Sequence, residues 1–470
     1  MGNEFRTEHD LLGERRIPMD AYYGIHTQRA IDNFRITKTR IGHYPDLVNA
    51  LAMVKMSAAR ANADLGMLDD EKFGAIEAAC KEILMGWGHE HFVVDVIQGG
   101  AGTSTNMNAN EVIANRALEL LGREKGDYGY IHPLEDVNMS QSTNDAYPTA
   151  LRVASYFSLE RLADAMEELL LAFRAKAEDF DDVIKMGRTQ LQDAVPMRLG
   201  QEFSSFGTMV AEDIVRLGEA RALMLEVNLG GTAIGTGINT DVDYRGLAIA
   251  ALCDVTGVEF SLPSDLVAAT QNVGAFIHLS SVLKRIAIKL SKISNDLRLL
   301  SSGPGTGFGD INLPAVQAGS SIMPGKVNPV IPEVVNQIAF EVIGNDLAVT
   351  MAAEGGQLQL NAFEPIIFHS ILKSSDHLQA GCTTLARRCV IGITANRDRL
   401  YSNVTRSVGL VTALSPEIGY EAATDVAKEA LATGKSVLEV VLERGLLSKE
   451  ELSAILNPEN LTEPGHLADG

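Results

Sequence analysis

The strongest regularity along the chain is a row of apolar positions: Phe276, Leu279, Leu283, Ile286, Leu290, Ile293, Leu297 and Leu300 follow one another at alternating steps of three and four. That spacing keeps one stripe of a helix turned toward a partner helix, so a helix of more than three heptads is predicted here. Val282, Ala287 and Ile288 lie off the stripe, which implies a helix enclosed by several neighbours, other subunits among them. Leu159, Leu162, Met166, Leu169 and Phe173 repeat the pattern earlier in the chain. From Tyr147 to about Ala395 such periodicities dominate. Residues 1 to about 140 read instead as short helices mixed with turns, and HFVVDVIQGGAGTSTNMNANEV passes from an apolar patch through a small-residue loop into a helix start. After Asn396 the pattern shortens to a helical pair in GKSVLEVVLERGLLSKEEL, and the final NPENLTEPGHLADG reads as loose. The expectation is a mostly α protein of three consecutive domains, 1–140 of mixed helices, 141–395 of long bundled helices and 396–470 of small C-terminal helices.

Composition narrows what such a bundle can serve. A chain of 470 residues exceeds one compact core of ordinary size. Its net charge of -21 repels nucleic acid and anionic lipid surfaces, leaving a small soluble substrate as the better fit. Cys80, Cys253, Cys382 and Cys389 show no paired spacing and read as reduced thiols of a cytoplasmic protein. MGNEFRTEHDLLGERRIP has charges from its start and no apolar h-region, so no secretory signal is expected, and no run of about 18 apolar residues offers a membrane span.

Glycine-rich stretches raise a nucleotide reading and fail it. In GSSIMPGKV five residues, not four, separate Gly319 from Gly325, and Val327 stands where a phosphate loop needs Ser or Thr. GPGTGFG follows a helical pattern and has Phe308 in place of the third glycine of a dinucleotide fingerprint. His89 and His91, two apart in GHEHF, would point to different faces of a helix and do not make a zinc site. What remains is a set of loops rich in hydroxyls and amides and poor in charge. They offer Thr103 with Ser104, Thr105 and Asn106; Ser142, Thr143 and Asn144; Thr189 and Gln190; and Ser320, Ser321, Lys326 and Asn328. Each loop alone suits a turn or helix cap. Four of them leading into long helices form sockets for carboxylates, which points to a small dianionic substrate.

GSSIMPGKVNP closely resembles the signature of the fumarase/aspartase superfamily, and GAGTSTNMNANEV, NMSQSTNDAYPTA and GRTQLQDAVPMRLGQEF are similar to its other regions, over nearly the whole chain. The resemblance implies a three-domain protomer whose long central helices assemble into a twenty-helix core in a homotetramer, with each active site built from three chains. It implies elimination of ammonia from L-aspartate to give fumarate through an aci-carboxylate. In that scheme Ser320 is the base, and Thr103, Ser142, Thr143 and Ser321 grip the β-carboxylate. Thr189, Lys326 and Asn328 hold the α-carboxylate, while Asn144 and Gln190 face the amino group. No cofactor is required by it; Mg2+ is an activator in some members, though no carboxylate cluster here specifies a site.

Gln190 separates the branches of the superfamily. Expelling hydroxide from malate needs a general acid, and fumarases generally carry His at this place. Ammonium brings its own proton and asks only to be oriented, which a carboxamide can do. GKVNPVIPEVVNQ also departs from the fumarase pattern, and Glu333 within it is expected near Gln190. His132 and Leu134 depart from the segment associated with a secondary anion site, which is therefore not expected; Phe363 reads as packing. The alternatives are a class II fumarase, a catalytically silent structural member, and a lyase with a bulky leaving group such as argininosuccinate or adenylosuccinate.

Overall fold

The computed structural model describes residues 5–462; residues 463–470 of the stretch expected to be loose lie outside them, and Pro458–Thr462 within it forms a short helix. The expected long helices are present: Thr143–Asp179, Leu199–Ala222, Gly274–Leu300, Val330–Glu354 and Glu364–Arg388. Every residue of the predicted stripe from Phe276 to Leu300 is buried, as are Leu159, Leu162, Met166, Leu169 and Phe173. Off the stripe, Val282 and Ala287 are buried while Ile288 is half exposed.

The chain divides into two compact units. One is made of Met1–Ala163, Val215–Arg285 and Phe340–Leu378, the other of Asp164–Ile214, Ile286–Ala339 and Gln379–Gly470. These are interleaved segments of the sequence with boundaries inside the long helices.

In the first unit, the residues before 140 fold more regularly than expected. Phe5–Asp10 and Gly13–Pro18 pair as an antiparallel hairpin, and Pro45–Asp64 is a long helix of 20 residues. That helix packs on Asp70–Leu84 and on Tyr244–Thr256, and its Leu47, Leu51, Val54 and Ala58 are buried. The buried carboxylate of Glu111 accepts the N–H groups of Gly24, His26 and Thr27, which fixes the start of helix Ile25–Asn33; burial raises its pKa to about 7. Helix Thr143–Asp179 starts four residues earlier than the expected Tyr147, with Pro148 inside it. Proline cannot donate to the carbonyl of Asn144, and the amide of Asn228 donates to it instead, at 3.0 Å.

In the second unit, GRTQLQDA is not a plain loop. Ile184–Thr189 and Gln192–Arg198 form an antiparallel hairpin closed between Thr189 and Gln192. Its Ile184 and Met186 pack with Val404 and Leu410. The expected C-terminal helical pair appears as Val437–Glu443 and Lys449–Ile455, each opened by a capping box, Ser436 with Glu439 and Ser448 with Glu451. Val437, Val440, Val441, Leu452 and Ile455 close that core with Leu414 and Val426.

Candidate active site

Thr103, Ser142, Thr143 and Asn144 belong to the first unit. Thr103 opens helix Thr103–Leu120 after Gly102, whose φ of 89° and whose closeness to Tyr147 both demand glycine: a Cβ there would lie 2.3 Å from the ring. The Thr103 hydroxyl donates to Gly100 O at 2.7 Å. Ser142 Oγ accepts the N–H of Asn144 at 3.2 Å, and Thr143 Oγ1 accepts from Asn106 Nδ2 at 3.1 Å, which leaves each hydroxyl hydrogen to be given elsewhere. Asn144 donates one amide hydrogen to Ala233 O at 2.8 Å.

The residue that holds this loop is Asp145. One carboxylate oxygen accepts the N–H groups of Ser142 and Ala146 at 2.9 and 2.7 Å, and the other those of Gly230 and Thr232 at 3.0 and 2.9 Å. Burial raises its pKa to about 6, while those four N–H bonds pull the other way. Behind the loop, Asn138 Oδ1 accepts from Lys55 Nζ, Asn106 and Asn110. The sequence reading named Asn106 among the hydroxyl and amide residues and gave no part to Lys55, Asn138 or Asp145. The available signal for Lys55 was a lone charge in the otherwise uncharged run LVNALAMVKMSAA.

Thr189, Gln190, Ser320, Ser321, Lys326 and Asn328 belong to the second unit. Gln190 and Leu191 form the two-residue tip of the hairpin with φ of 54° and 64°, both exposed. Two left-handed residues in a two-residue hairpin suit the right-handed twist of the strands, and they cost side chains other than Gly or Asn backbone strain. The hairpin base compensates. Arg188 reaches Asp310 through two hydrogen bonds of 2.6 and 3.2 Å, buried Lys185 bonds Glu202 at 2.5 Å and lies 3.5 Å from Asp310, and the Arg188 guanidinium stacks over Phe308 at 4.2 Å. Ser407 donates to Asp193 on the returning strand at 2.9 Å.

The 319–328 segment closes on itself. Gly319 N–H donates to Lys326 O at 2.9 Å, and Asn328 Nδ2 donates to Gly319 O at 2.6 Å. A Cβ on Gly319 would come 2.4 Å from Lys326 O, so the closure needs glycine. Inside the loop, Ser320 Oγ accepts the N–H groups of Ile322 at 3.2 Å and Met323 at 2.9 Å. Two backbone dipoles converging on one hydroxyl oxygen favour its anionic form. Ser321 and Lys326 are exposed, and Lys326 Nζ has no ion pair among the described residues. Glu333, expected near Gln190, faces Arg298 at 3.8 Å.

Residues 13–344 match the family described as Lyase, and residues 410–463 match the one described as Fumarase C C-terminus. An aspartate ammonia-lyase of Pseudomonas canavaninivorans is 59% identical over 461 residues, 98% of this chain and 97% of that one. The aspartate ammonia-lyase of Escherichia coli strain K12 is 53% identical over 469 residues, covering 100% of this chain and 98% of that one. Among solved structures, a fumarate lyase:delta crystallin from Brucella melitensis bound to cobalt superposes with a TM-score of 0.96 at 57% identity, over 98% of this chain and 100% of the other. A class II fumarase from Schistosoma mansoni superposes with a TM-score of 0.92 at 33% identity over the same shares. A fold of long helices, a self-closing GSSIMPGKVNP loop and near full-length likeness at this level agree: the chain belongs to the fumarase/aspartase superfamily of lyases.

Proposed function

We infer that the chain is a carbon–nitrogen lyase that eliminates ammonia from L-aspartate, reversibly, to give fumarate. The observation that carries this reading is the likeness to aspartate ammonia-lyases at 53% to 59% identity over essentially the whole chain. Gln190 agrees with it, since an amide at that position offers no proton to a leaving hydroxide.

In the proposed mechanism the Ser320 alkoxide, stabilised by the N–H groups of Ile322 and Met323, removes a proton from C3 of aspartate. The negative charge moves onto the adjacent carboxylate as an aci-carboxylate, which hydroxyl donors on Thr103, Ser142, Thr143 and Ser321 would stabilise. Collapse of that intermediate forms the C2–C3 double bond and breaks the C–N bond. The ammonium group departs as neutral ammonia with its electron pair, so no acid is consumed. Thr189, Lys326 and Asn328 would hold the α-carboxylate, and Asn144 with Gln190 would orient the amine. These steps are written without a cofactor, and Mg2+ enters the proposal as an activator only.

The proposed working form is a homotetramer with each site completed by three chains. Its support is the exposed apolar face of helix Val330–Glu354, where Phe340, Leu347 and Met351 are 64%, 63% and 62% exposed. No helix among the described residues is long and apolar enough to cross a membrane. A cytoplasmic location is proposed on the four unpaired thiols and the charge of -21.

Fumarate absorbs in the ultraviolet where aspartate and malate do not, so incubation with L-aspartate and, separately, with L-malate tests the reading directly. Absorbance should grow with aspartate and stay flat with malate. Growth with malate alone would make the protein a fumarase, and no turnover of either would make it a silent member.

A further inference from the structure

Lys55 is fully buried on helix Pro45–Asp64, and its ammonium has no carboxylate partner among the described residues. Its hydrogen bonds go to two neutral oxygens, Asn138 Oδ1 at 2.9 Å and Gln141 Oε1 at 2.8 Å. Both amides are held in that sense from their other ends: Asn138 Nδ2 donates to Gln141 O, and Gln141 Nε2 donates to Val137 O and Met139 O. With Asn138 Oδ1 facing inward, Asn106 can present only its N–H2 to it, at 3.0 Å, and the same group donates onward to Thr143 Oγ1 at 3.1 Å. Turning the Asn106 amide over would set two carbonyl oxygens against each other. The arrangement leaves Asn106 Oδ1 and Asn110 Oδ1 buried without a donor, a cost that the inward pull on Asn138 Oδ1 explains.

We propose that Lys55 is a positioning residue: through Asn138 and Asn106 it fixes Thr143 Oγ1 as an acceptor on its inner side, so that the hydroxyl hydrogen is committed to a carboxylate of the bound dicarboxylate. The unpaired buried charge has the sign that a dianion held by the Ser142–Asn144 loop would complement. This rests on the reading of that loop as a carboxylate site. The ionisable groups acting on the amine are Asp145 on helix Thr143–Asp179 and Cys80 on helix Asp70–Leu84, and burial, the largest influence, lowers its pKa to about 7. Above that pH the empty enzyme holds Lys55 largely neutral, and a dianion nearby favours recharging it. Binding at pH 8 therefore takes up a proton, whereas below the lowered pKa the amine is already charged and takes up none.

Succinate, a four-carbon dicarboxylate with no leaving group, serves as the probe, titrated calorimetrically at pH 8 into the full-length enzyme in two buffers of different ionisation enthalpy. The wild type should take up a proton on binding. Lys55→Met should abolish that uptake and weaken succinate about tenfold, through loss of the complementary charge and of the alignment of Thr143. Asn106→Asp, which keeps Lys55 and can only accept from Thr143, should weaken succinate similarly and tests the relay if the Lys55 variant does not fold. Thr143→Val separates the two layers of argument. If it binds succinate as the wild type does, the loop is not a carboxylate site. If it binds weakly while Lys55→Met or Asn106→Asp binds normally with proton uptake intact, Lys55 plays no part.

Discussion

Ser320 Oγ accepts two backbone N–H groups that converge from its own loop, the kind of support the proposed alkoxide base would need. A free hydroxyl is far too weakly acidic for its anion to exist near neutrality; dipoles placed in advance reduce that deficit. Ser320→Ala keeps the backbone closure between Gly319 and Lys326 and removes the oxygen with the two N–H bonds it accepts. Turnover of aspartate should fall by about 10²- to 10⁴-fold with an unchanged melting temperature. A variant retaining the wild-type rate would remove Ser320 from the chemistry. The residue types that touch substrate in this reading were visible in the sequence because hydroxyls and amides cluster in four short loops. The groups that orient them were not. Asp145 serves residues 142 to 146 and 230 to 232 at once, and Lys55 acts on Asn138 and Gln141 more than eighty positions away. Such pairings exist only after the helices have packed, and no local spacing announces them.

At the scale of elements, helix Gly274–Leu300 was legible because a period of alternating three and four residues has one simple solution, and all eight stripe positions are buried. Hairpin Ile184–Thr189 with Gln192–Arg198 was not, because its turn is Gln190–Leu191 where a two-residue turn usually announces itself with Asn-Gly or Asp-Gly. The strain of that tip is held by the ionic base beneath it. Asp310 is wholly buried between Arg188 and Lys185, so Asp310→Ala leaves two cations facing each other with only Glu202 to balance them. Removing one partner from a buried ionic cluster costs about 3 kcal/mol. The expected result is a lower denaturant midpoint, with the unfolding free energy reduced by about that amount, together with a raised KM for aspartate, since Thr189 and Gln190 lose their support. Unfolding at the wild-type midpoint would show that the tip is held by something else.

For the whole molecule, the question is why helix Val330–Glu354 keeps large apolar side chains in water. Phe340, Ile343, Leu347 and Met351 follow steps of three and four, so they form one face. Ile343 is 39% exposed and the other three more than 60%. A lone chain would gain solubility by making them polar, whereas a bundle of helices from several copies needs them as they are. Repulsion works against such an assembly, because each copy brings a charge of -21. Screening limits that repulsion to about 8 Å at physiological salt, while apolar burial acts at contact and contributes roughly 1.5 to 3 kcal/mol for each large side chain enclosed. The contact term therefore wins wherever the face is continuous, and a charge placed in its middle should reverse the balance. Leu347→Asp should convert a particle of four times the 50.5 kDa chain mass, measured by light scattering, into smaller species. Because the proposed site draws residues from three chains, turnover should disappear in step with the large particle and return as raised protein concentration restores it. A small species turning over aspartate at the full rate would place the whole site within one chain.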